Sequence, residues 1–159
     1  MVLKRMSDTG RTFDGVGSAI DGLTVGGVTS ERWIKSIGSF PFIHWSPKAS
    51  VANVAAGLDD AELVAVANRL KTLGSLVMLR MWHEFNGNWF PWSATLNTCS
   101  TWTRGWRHVV DVFRQHGATN VGFAWSPSEG QNRAIRDACY PGNSYVDWVS
   151  PDGYNQCLT

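Results

Sequence analysis

Short apolar segments alternate along the chain with longer segments in which apolar residues recur at helical spacing. The apolar segments end near Trp45, Glu84, Trp125 and Tyr154. Two parallel strands need a crossover connection, which is usually a helix, so this alternation predicts successive βα units and a parallel sheet. The repeat of roughly 30 to 40 residues is the length expected of such a unit.

Charge and capping residues set the helix boundaries. Residues 59–73 carry acidic side chains early and basic ones late, which is the order that the helix dipole favours. Ser100 or Thr101 is expected to cap the next helix, which Gly117 ends. In chain order we predict a short helix from Thr29 or Ser30 to Gly38, strand 40–45, helix 59–73, strand 76–82, the helix ending at Gly117, strand 120–125, an irregular helix 131–138 and strand 145–149.

Four βα units amount to about half of a closed eight-stranded barrel, which typically needs about 250 residues. The 159 residues would also fit a small open, doubly wound sheet. Aromatic and polar residues follow every predicted strand, as they do at the mouth of a barrel, and this favours a partial (β/α)8 TIM barrel of the α/β class. We expect one incomplete domain over residues 1–159, in which the glycine-rich segment 1–28 is weakly patterned.

Residues 76–92 carry the strongest candidate chemistry. An apolar strand, interrupted by Arg80, ends in His83 and Glu84 and is followed by an aromatic loop. Glu84 is the candidate general acid, because desolvation by aromatic neighbours favours a protonated carboxyl group. The alternative is a buried ion pair between Glu84 and Arg80. Strand alternation puts Arg80, Trp82 and Glu84 on one face and His83 on the other, unless the strand end is twisted or bulged.

Composition and charge exclude several kinds of partner. The net charge is +1 and the basic residues are scattered, so no nucleic-acid-binding surface is expected. No apolar segment approaches the roughly 20 residues that a membrane-spanning helix needs, and the N-terminal residues lack the apolar core of a signal peptide. Gly87 stands where a zinc motif beginning at His83 would need its second His, and no phosphate-binding glycine loop occurs. We therefore expect no membrane partner, no metal and no cofactor, while the oligomeric state stays open.

The nine tryptophans have two possible roles. Aromatic side chains dominate the buried area of ordinary domains, but their flat apolar faces can also stack on sugar rings. Their placement relative to the strand ends decides between core filling and carbohydrate binding.

The three cysteines, Cys99, Cys139 and Cys157, lack the C-x-x-C spacing of a zinc site or a redox pair. If the loops that follow neighbouring strands meet, Cys99 and Cys157 could form a disulfide in an oxidising compartment. Buried free thiols are the alternative.

The central segment resembles a known enzyme family. Residues 83–89, His-Glu-Phe-Asn-Gly-Asn-Trp, are similar to the His-Glu-Met-Asn-Gly-x-Trp signature of glycoside hydrolase family 26, whose best-known members are endo-β-1,4-mannanases. Residues 44–47 resemble the ending of that family's third strand, residues 125–127 that of its fifth, and residues 140–155 its sixth strand. The resemblance covers about residues 38–156.

The resemblance implies that residues 76–84 form the fourth strand of a (β/α)8 barrel and that Glu84 is the acid/base of a retaining mechanism. It also implies roles for other residues. The implied supporting residues are His83 and Tyr154, to which strand alternation adds Arg80 beneath Glu84. The expected substrate-binding residues are Trp45, Asn86, Trp89 and Trp125.

A second carboxylate is missing from this pattern. In the family the nucleophile is a Glu at the end of the seventh strand, whereas the resemblance here stops at the sixth and implies a barrel truncated at both ends. Asp152 is the nearest substitute in the chain, and Glu129, although in a loop at the mouth, does not stand at a strand end. We expect an extracellular parent enzyme that hydrolyses β-mannan-type polysaccharide, and an inactive isolated chain. The alternatives are a non-catalytic carbohydrate-binding remnant, or the same fold acting on β-1,3-xylan or mixed-linkage β-glucan.

Overall fold

The computed structural model describes residues 38–58 and 60–154. Four parallel strands form one sheet in the order β1-β2-β3-β4. The weakly patterned segment 1–28 and the helix predicted after Thr29 or Ser30 lie outside the described residues. The elements are β1 (Phe42–Trp45), α1 (Val51–Ala55), α2 (Asp60–Lys71), β2 (Val77–Met81), α3 (Cys99–Gln115), β3 (Val121–Trp125), α4 (Arg133–Ala138), a 3₁₀ turn (Asn143–Tyr145) and β4 (Trp148–Val149).

The two faces of the sheet have different surroundings. On the helix-facing side, Trp45 and Phe123 both pack against the ring of Phe113 in α3. On the opposite side, His44 lies in register with Arg80 of the neighbouring strand, and their side chains meet. The hydrophobic core therefore lies between the sheet and its helices, while the opposite face carries polar residues.

Helix α3 supplies most of the helix layer of this core. Its buried face repeats at helical spacing, which is why the sequence pattern predicted it. The side chain of Thr98, rather than the expected Ser100 or Thr101, accepts a hydrogen bond from the backbone N–H of Thr101 and caps the helix. Gly117, at φ 71°, ends the turn that follows. The buried large residues of α3 are Trp102, Trp106, Val109, Val110 and Phe113.

Helix α2 follows the predicted charge order, with Asp60 and Glu62 in its first turn and Arg69 and Lys71 in its last. The short helix α1, which the sequence pattern did not predict, is capped by Ser50. Only five residues long, α1 is too short for a clear helical periodicity.

The last strand is shorter than predicted, with Trp148–Val149 in place of residues 145–149. Asp147 explains the late start, because its carboxylate accepts a hydrogen bond from the backbone N–H of Phe123 and takes the place of a ladder partner. The preceding 3₁₀ turn is fixed to α3 by the indole N–H of Trp106, which donates to the carbonyl of Tyr145 at 2.8 Å.

A disulfide joins Cys99, at the start of α3, to Cys139, at the end of α4. Cys99 therefore pairs with Cys139 and not with Cys157, the partner considered from the sequence. Cys157 itself lies outside the described residues. The sequence separation of 40 residues concealed the pairing, because it depends on α4 folding back against the start of α3.

Within residues 38–58 and 60–154, no helix is both long and apolar enough to cross a bilayer.

Candidate functional site

Hydrogen bonds connect the carboxyl ends of all four strands, and we call this edge of the sheet the mouth. The hydroxyl of Ser46, after β1, accepts from the backbone N–H of Trp82 at 3.4 Å. The backbone N–H of Glu84, after β2, donates to the carbonyl of Ser126 at 2.7 Å. The hydroxyls of Ser126 and Ser150, after β3 and β4, lie 2.5 Å apart. The mouth is therefore held as one unit.

The backbone adopts an unusual conformation at two residues directly after β2. Trp82 and Glu84 have φ values of 47° and 52°, in the left-handed region that side chains other than glycine seldom adopt. The predicted alternation is wrong here, because Trp82 turns to the helix side and packs on Trp102, with ring centroids 5.6 Å apart. His83 instead joins the face of Arg80, with its ring 5.6 Å from that of His44. Strained backbone of this kind clusters at functional sites.

Glu84 is held at the mouth by two hydrogen bonds. Its backbone is fixed by Ser126 of the neighbouring strand, and its Oε2 accepts the indole N–H of Trp89 at 2.8 Å. The carboxyl group is half-buried, and the indole of Trp89 is 46% exposed. A carboxyl group in this setting can exchange a proton with a molecule in the mouth.

Arg80, on the face of β2 opposite the core, connects this strand to the segment that follows β4. It is 6% exposed, forms an ion pair with Asp152, and places one guanidinium nitrogen 3.1 Å from Nε2 of His44. Its positive charge also acts on His83, whose pKa falls to about 4 because of burial first, then Arg80 and His44. His83 is consequently neutral at ordinary pH, and its ring can accept a hydrogen bond as well as donate one.

The aromatic loop, residues 85–98, is held by ring contacts between its own side chains and by contacts with His83. The rings of Phe90 and Trp92 stack with centroids 4.5 Å apart, and both contact the ring of His83. The indole N–H of Trp92 donates to the carbonyl of His83 at 2.8 Å. Gly87 lies directly under Trp89, since a Cβ at this position would come within 2.5 Å of the indole ring. The loop is thus a shaped apolar wall beside Glu84.

Asn86, expected to bind substrate, is buried and has its side chain engaged. Its Nδ2 donates to the carbonyl of Ser128 at 2.9 Å, and its Oδ1 accepts from the backbone N–H of Ser128 at 2.8 Å. This reciprocal pair joins the loop after β2 to the loop after β3. The contacts support a positioning role for Asn86, and its expected role as a substrate ligand stays a prediction.

The two tryptophans at strand ends that were expected to bind substrate point away from the mouth. Trp45 and Trp125 are 3% and 6% exposed, and both pack in the helix-facing core. As the last residues of β1 and β3, they keep the strand alternation that turns their side chains away from the inner face. This burial is contrary to the expectation that Trp45 and Trp125 bind substrate at the mouth, whereas Tyr154 is 85% exposed there.

Sequence reasoning did not pick out His44 as a site residue, and it named Asp152 only as a substitute nucleophile. His44 contacts Arg80 and His83, and Asp152 pairs with Arg80. The available signal was positional, because His44 lies at the same alternation phase as Phe42, on the face opposite the core. In the described part of the chain, no group of three or more His, Cys, Asp or Glu is placed to hold a metal ion.

Two curated proteins are similar in sequence to most of this chain. Endoglucanase H of Acetivibrio thermocellus is 38% identical over 125 residues, which cover 74% of this chain and 14% of that protein. A mannan endo-1,4-beta-mannosidase of Bacillus subtilis is 27% identical over 81% of this chain and 34% of its own length. The chain therefore spans well under half of these curated relatives.

Solved structures superpose on most of this chain. Bacillus subtilis mannanase man26 superposes with a TM-score of 0.69 at 21% identity, over 96% of this chain and 58% of that one. The catalytic domain of the endo-beta-1,4-mannanase of Bacillus sp. JAMB-750 gives 0.65 at 26% identity, over 79% and 39%. The parallel sheet is thus part of a TIM barrel. Since the model of the family described as glycosyl hydrolase family 26 matches residues 42–159, the chain belongs to that family.

Proposed function

We propose that this chain carries the acid/base half of a retaining endo-glycoside hydrolase that acts on β-mannan-type polysaccharide. The observation that carries the proposal is the position of Glu84, half-buried at the mouth with Oε2 bonded to Trp89. Membership of glycosyl hydrolase family 26 and the names of several relatives, mannan endo-1,4-beta-mannosidase, support the reaction class and the substrate.

Glu84 would act twice in a retaining reaction. In the first step its protonated carboxyl group gives the proton to the leaving sugar oxygen while a second carboxylate attacks the anomeric carbon. In the second step the Glu84 carboxylate takes a proton from water, which displaces that carboxylate from the sugar. Trp89 would line the reacting subsite, and neutral His83 would contact a sugar hydroxyl.

The second carboxylate is expected from a strand beyond the four described. Retaining hydrolysis needs the two carboxyl groups about 5 to 5.5 Å apart. Among the described residues, Asp152 is paired with Arg80, and Glu129 packs against Gly153. Tyr154, in the segment that follows β4, would hydrogen-bond the nucleophile. We accordingly propose that the 159-residue chain alone turns over mannan weakly or not at all, which a reducing-sugar assay on the isolated chain tests.

Kinetics of Glu84→Gln in the intact protein test the acid/base assignment. Hydrolysis of mannan should fall by about 10²- to 10⁴-fold, because the leaving group loses its proton donor. A dinitrophenyl β-mannoside, whose leaving group needs no proton, should react almost normally in the first step. Glu62→Gln is the matched control, because Glu62 lies on α2 and accepts from the backbone of Lys48. Equal losses on both substrates would refute the acid/base role.

A second substrate class has specific support. The relative named Endoglucanase H is 38% identical, which supports a glucan, such as the mixed-linkage β-glucan considered above, as an alternative to mannan. Rates on mannan, mixed-linkage β-glucan and β-1,3-xylan, compared in one preparation, decide between them. Retarded migration in gels that contain these polysaccharides, without release of reducing sugar, would instead support a non-catalytic binding remnant.

We also propose that the protein works outside the cytoplasm. The Cys99–Cys139 disulfide supports this, because disulfides persist in oxidising compartments. Recovery of the oxidised protein from the culture medium of its host would test the proposal.

A further inference from the structure

The indole N–H of Trp89 meets one particular oxygen of Glu84. Nε1 of Trp89 donates to Oε2 at 2.8 Å. An indole nitrogen is a donor only, so in this contact Oε2 is always the acceptor. A carboxyl group whose one oxygen already accepts a hydrogen bond holds its own proton more favourably on the other oxygen. The contact therefore distinguishes the two oxygens of Glu84.

We propose that Trp89 is a positioning residue that assigns the acidic proton of Glu84 to Oε1. The inference rests on the proposed acid/base function of Glu84 and deepens it. During departure of the sugar, the proton on Oε1 moves to the glycosidic oxygen, the bond from that oxygen to the anomeric carbon breaks, and the electron pair of the O–H bond stays on the carboxylate. The N–H of Trp89 then donates to a group that has become an anion.

A hydrogen bond of this kind favours the transition state over the ground state. A donor stabilises a carboxylate more strongly than a neutral carboxyl group, so the contact strengthens as negative charge develops on Glu84. Because the indole is fixed in advance, little reorganisation accompanies the reaction. Loss of the N–H should slow reactions that need proton donation by about 10- to 100-fold, the range of a hydrogen bond to a charged group.

Gly87 supplies the space that this contact needs. A Cβ at residue 87 would lie 2.5 Å from two atoms of the Trp89 ring, closer than real Cβ contacts allow. The φ of Gly87 is not in the positive range that only glycine tolerates easily, so the collision with Trp89 is the main effect of a side chain there. Gly87→Ala should therefore move the indole while leaving its N–H intact.

A leaving-group comparison in the intact protein tests the inference. Trp89→Phe keeps an aromatic ring without the N–H. Its kcat/KM for an unactivated phenyl β-mannoside should fall by about 10- to 100-fold more than its kcat/KM for dinitrophenyl β-mannoside, because any lost contact with the sugar lowers both values alike. Gly87→Ala should shift the ratio of the two values in the same direction. This ratio does not depend on the folded fraction of the preparation, so partial misfolding cannot imitate the result.

Trp92→Phe is the matched control. It removes an indole N–H from the same loop, but that N–H donates to the carbonyl of His83 rather than to the acid. Its ratio between the two substrates should stay at the wild-type value. An unchanged ratio in Trp89→Phe, or equal losses on both substrates, would overturn the inference. Glu84→Gln measured alongside separates the two proposals: if its ratio shifts and that of Trp89→Phe does not, only the positioning role fails.

Discussion

The guanidinium of Arg80 forms an ion pair with the carboxylate of Asp152 across the mouth, from β2 to the residues after β4. Strand β3 lies between these two strands in the sheet. The pair therefore connects non-neighbouring strands. The ion pair also engages the carboxylate of Asp152, which is the nearest candidate in the chain for a substitute nucleophile.

Asp152→Asn should destabilise the fold more than it affects chemistry. Arg80 is 6% exposed and would lose the charge of its partner, whereas the Asp152 side chain is 26% exposed and its loss is partly compensated by water. We expect a loss of about 2–3 kcal/mol in the free energy of unfolding, measured by urea denaturation.

The double variant Arg80→Met/Asp152→Asn is the control, because it removes both charges. Its loss of stability should be smaller than the sum of the losses measured for Arg80→Met and Asp152→Asn separately. A drop in activity of about 10⁴-fold in Asp152→Asn at unchanged stability would instead identify Asp152 as the nucleophile.

Acid should weaken the fold through His83. Its pKa is about 4 in the folded chain, against about 6.5 when unfolded, so the folded state favours the neutral ring. This contribution is complete above about pH 6.5 and is lost as the pH falls towards 4. Since the ring is only partly buried, we expect an effect on the order of 1 kcal/mol.

Thermal unfolding of the wild type and His83→Gln between pH 7 and pH 4 measures this effect. The stability of the wild type should fall more steeply over that range. The control variant is His116→Gln, because His116 follows α3 at the end away from the mouth. Parallel stability curves for the wild type and His83→Gln would contradict the prediction.

The disulfide should contribute substantially to stability. Cys99 and Cys139 close a loop of 40 residues, and a crosslink of this size typically contributes about 2–4 kcal/mol by restricting the unfolded chain. The double variant Cys99→Ser/Cys139→Ser should lose that amount in urea denaturation. Cys157→Ser is the control, and peptide mapping without reductant should recover Cys99 joined to Cys139. A Cys99–Cys157 peptide would show the assignment to be wrong.

Asn86→Ala should be costly although it removes only a small polar group. It would leave the half-buried N–H and carbonyl of Ser128 without the side chain that they bond, and each such group costs up to about 1–3 kcal/mol. We expect a total loss of about 2–4 kcal/mol in the free energy of unfolding. Asn97→Ala, in the same loop, should cost less than half as much because Asn97 is only partly buried. Equal losses in the two variants would contradict the clamping role of Asn86.

The boundaries that the sequence predicted best belong to elements with strong periodicity. The apolar face of α3 and the charge order of α2 predicted both helices to within a few residues. Each pattern lies within the helix itself and needs no contact with distant residues to be recognised. The short helix α1 and the late start of β4 were missed. A five-residue helix has no clear period, and the hydrogen bond of Asp147 to Phe123 joins residues far apart in the chain.

The sequence by itself determined the βα order, the parallel sheet, and the location of Glu84 at a strand end. Those features follow from local periodicity and from residues adjacent in the chain. Only the tertiary structure decided which way the side chains point. Left-handed backbone at Trp82 and Glu84 redirects the strand end, and alternation buries Trp45 and Trp125. The pairings of Arg80 with Asp152 and of Cys99 with Cys139 likewise depend on segments that only packing brings together, so no local pattern could encode them.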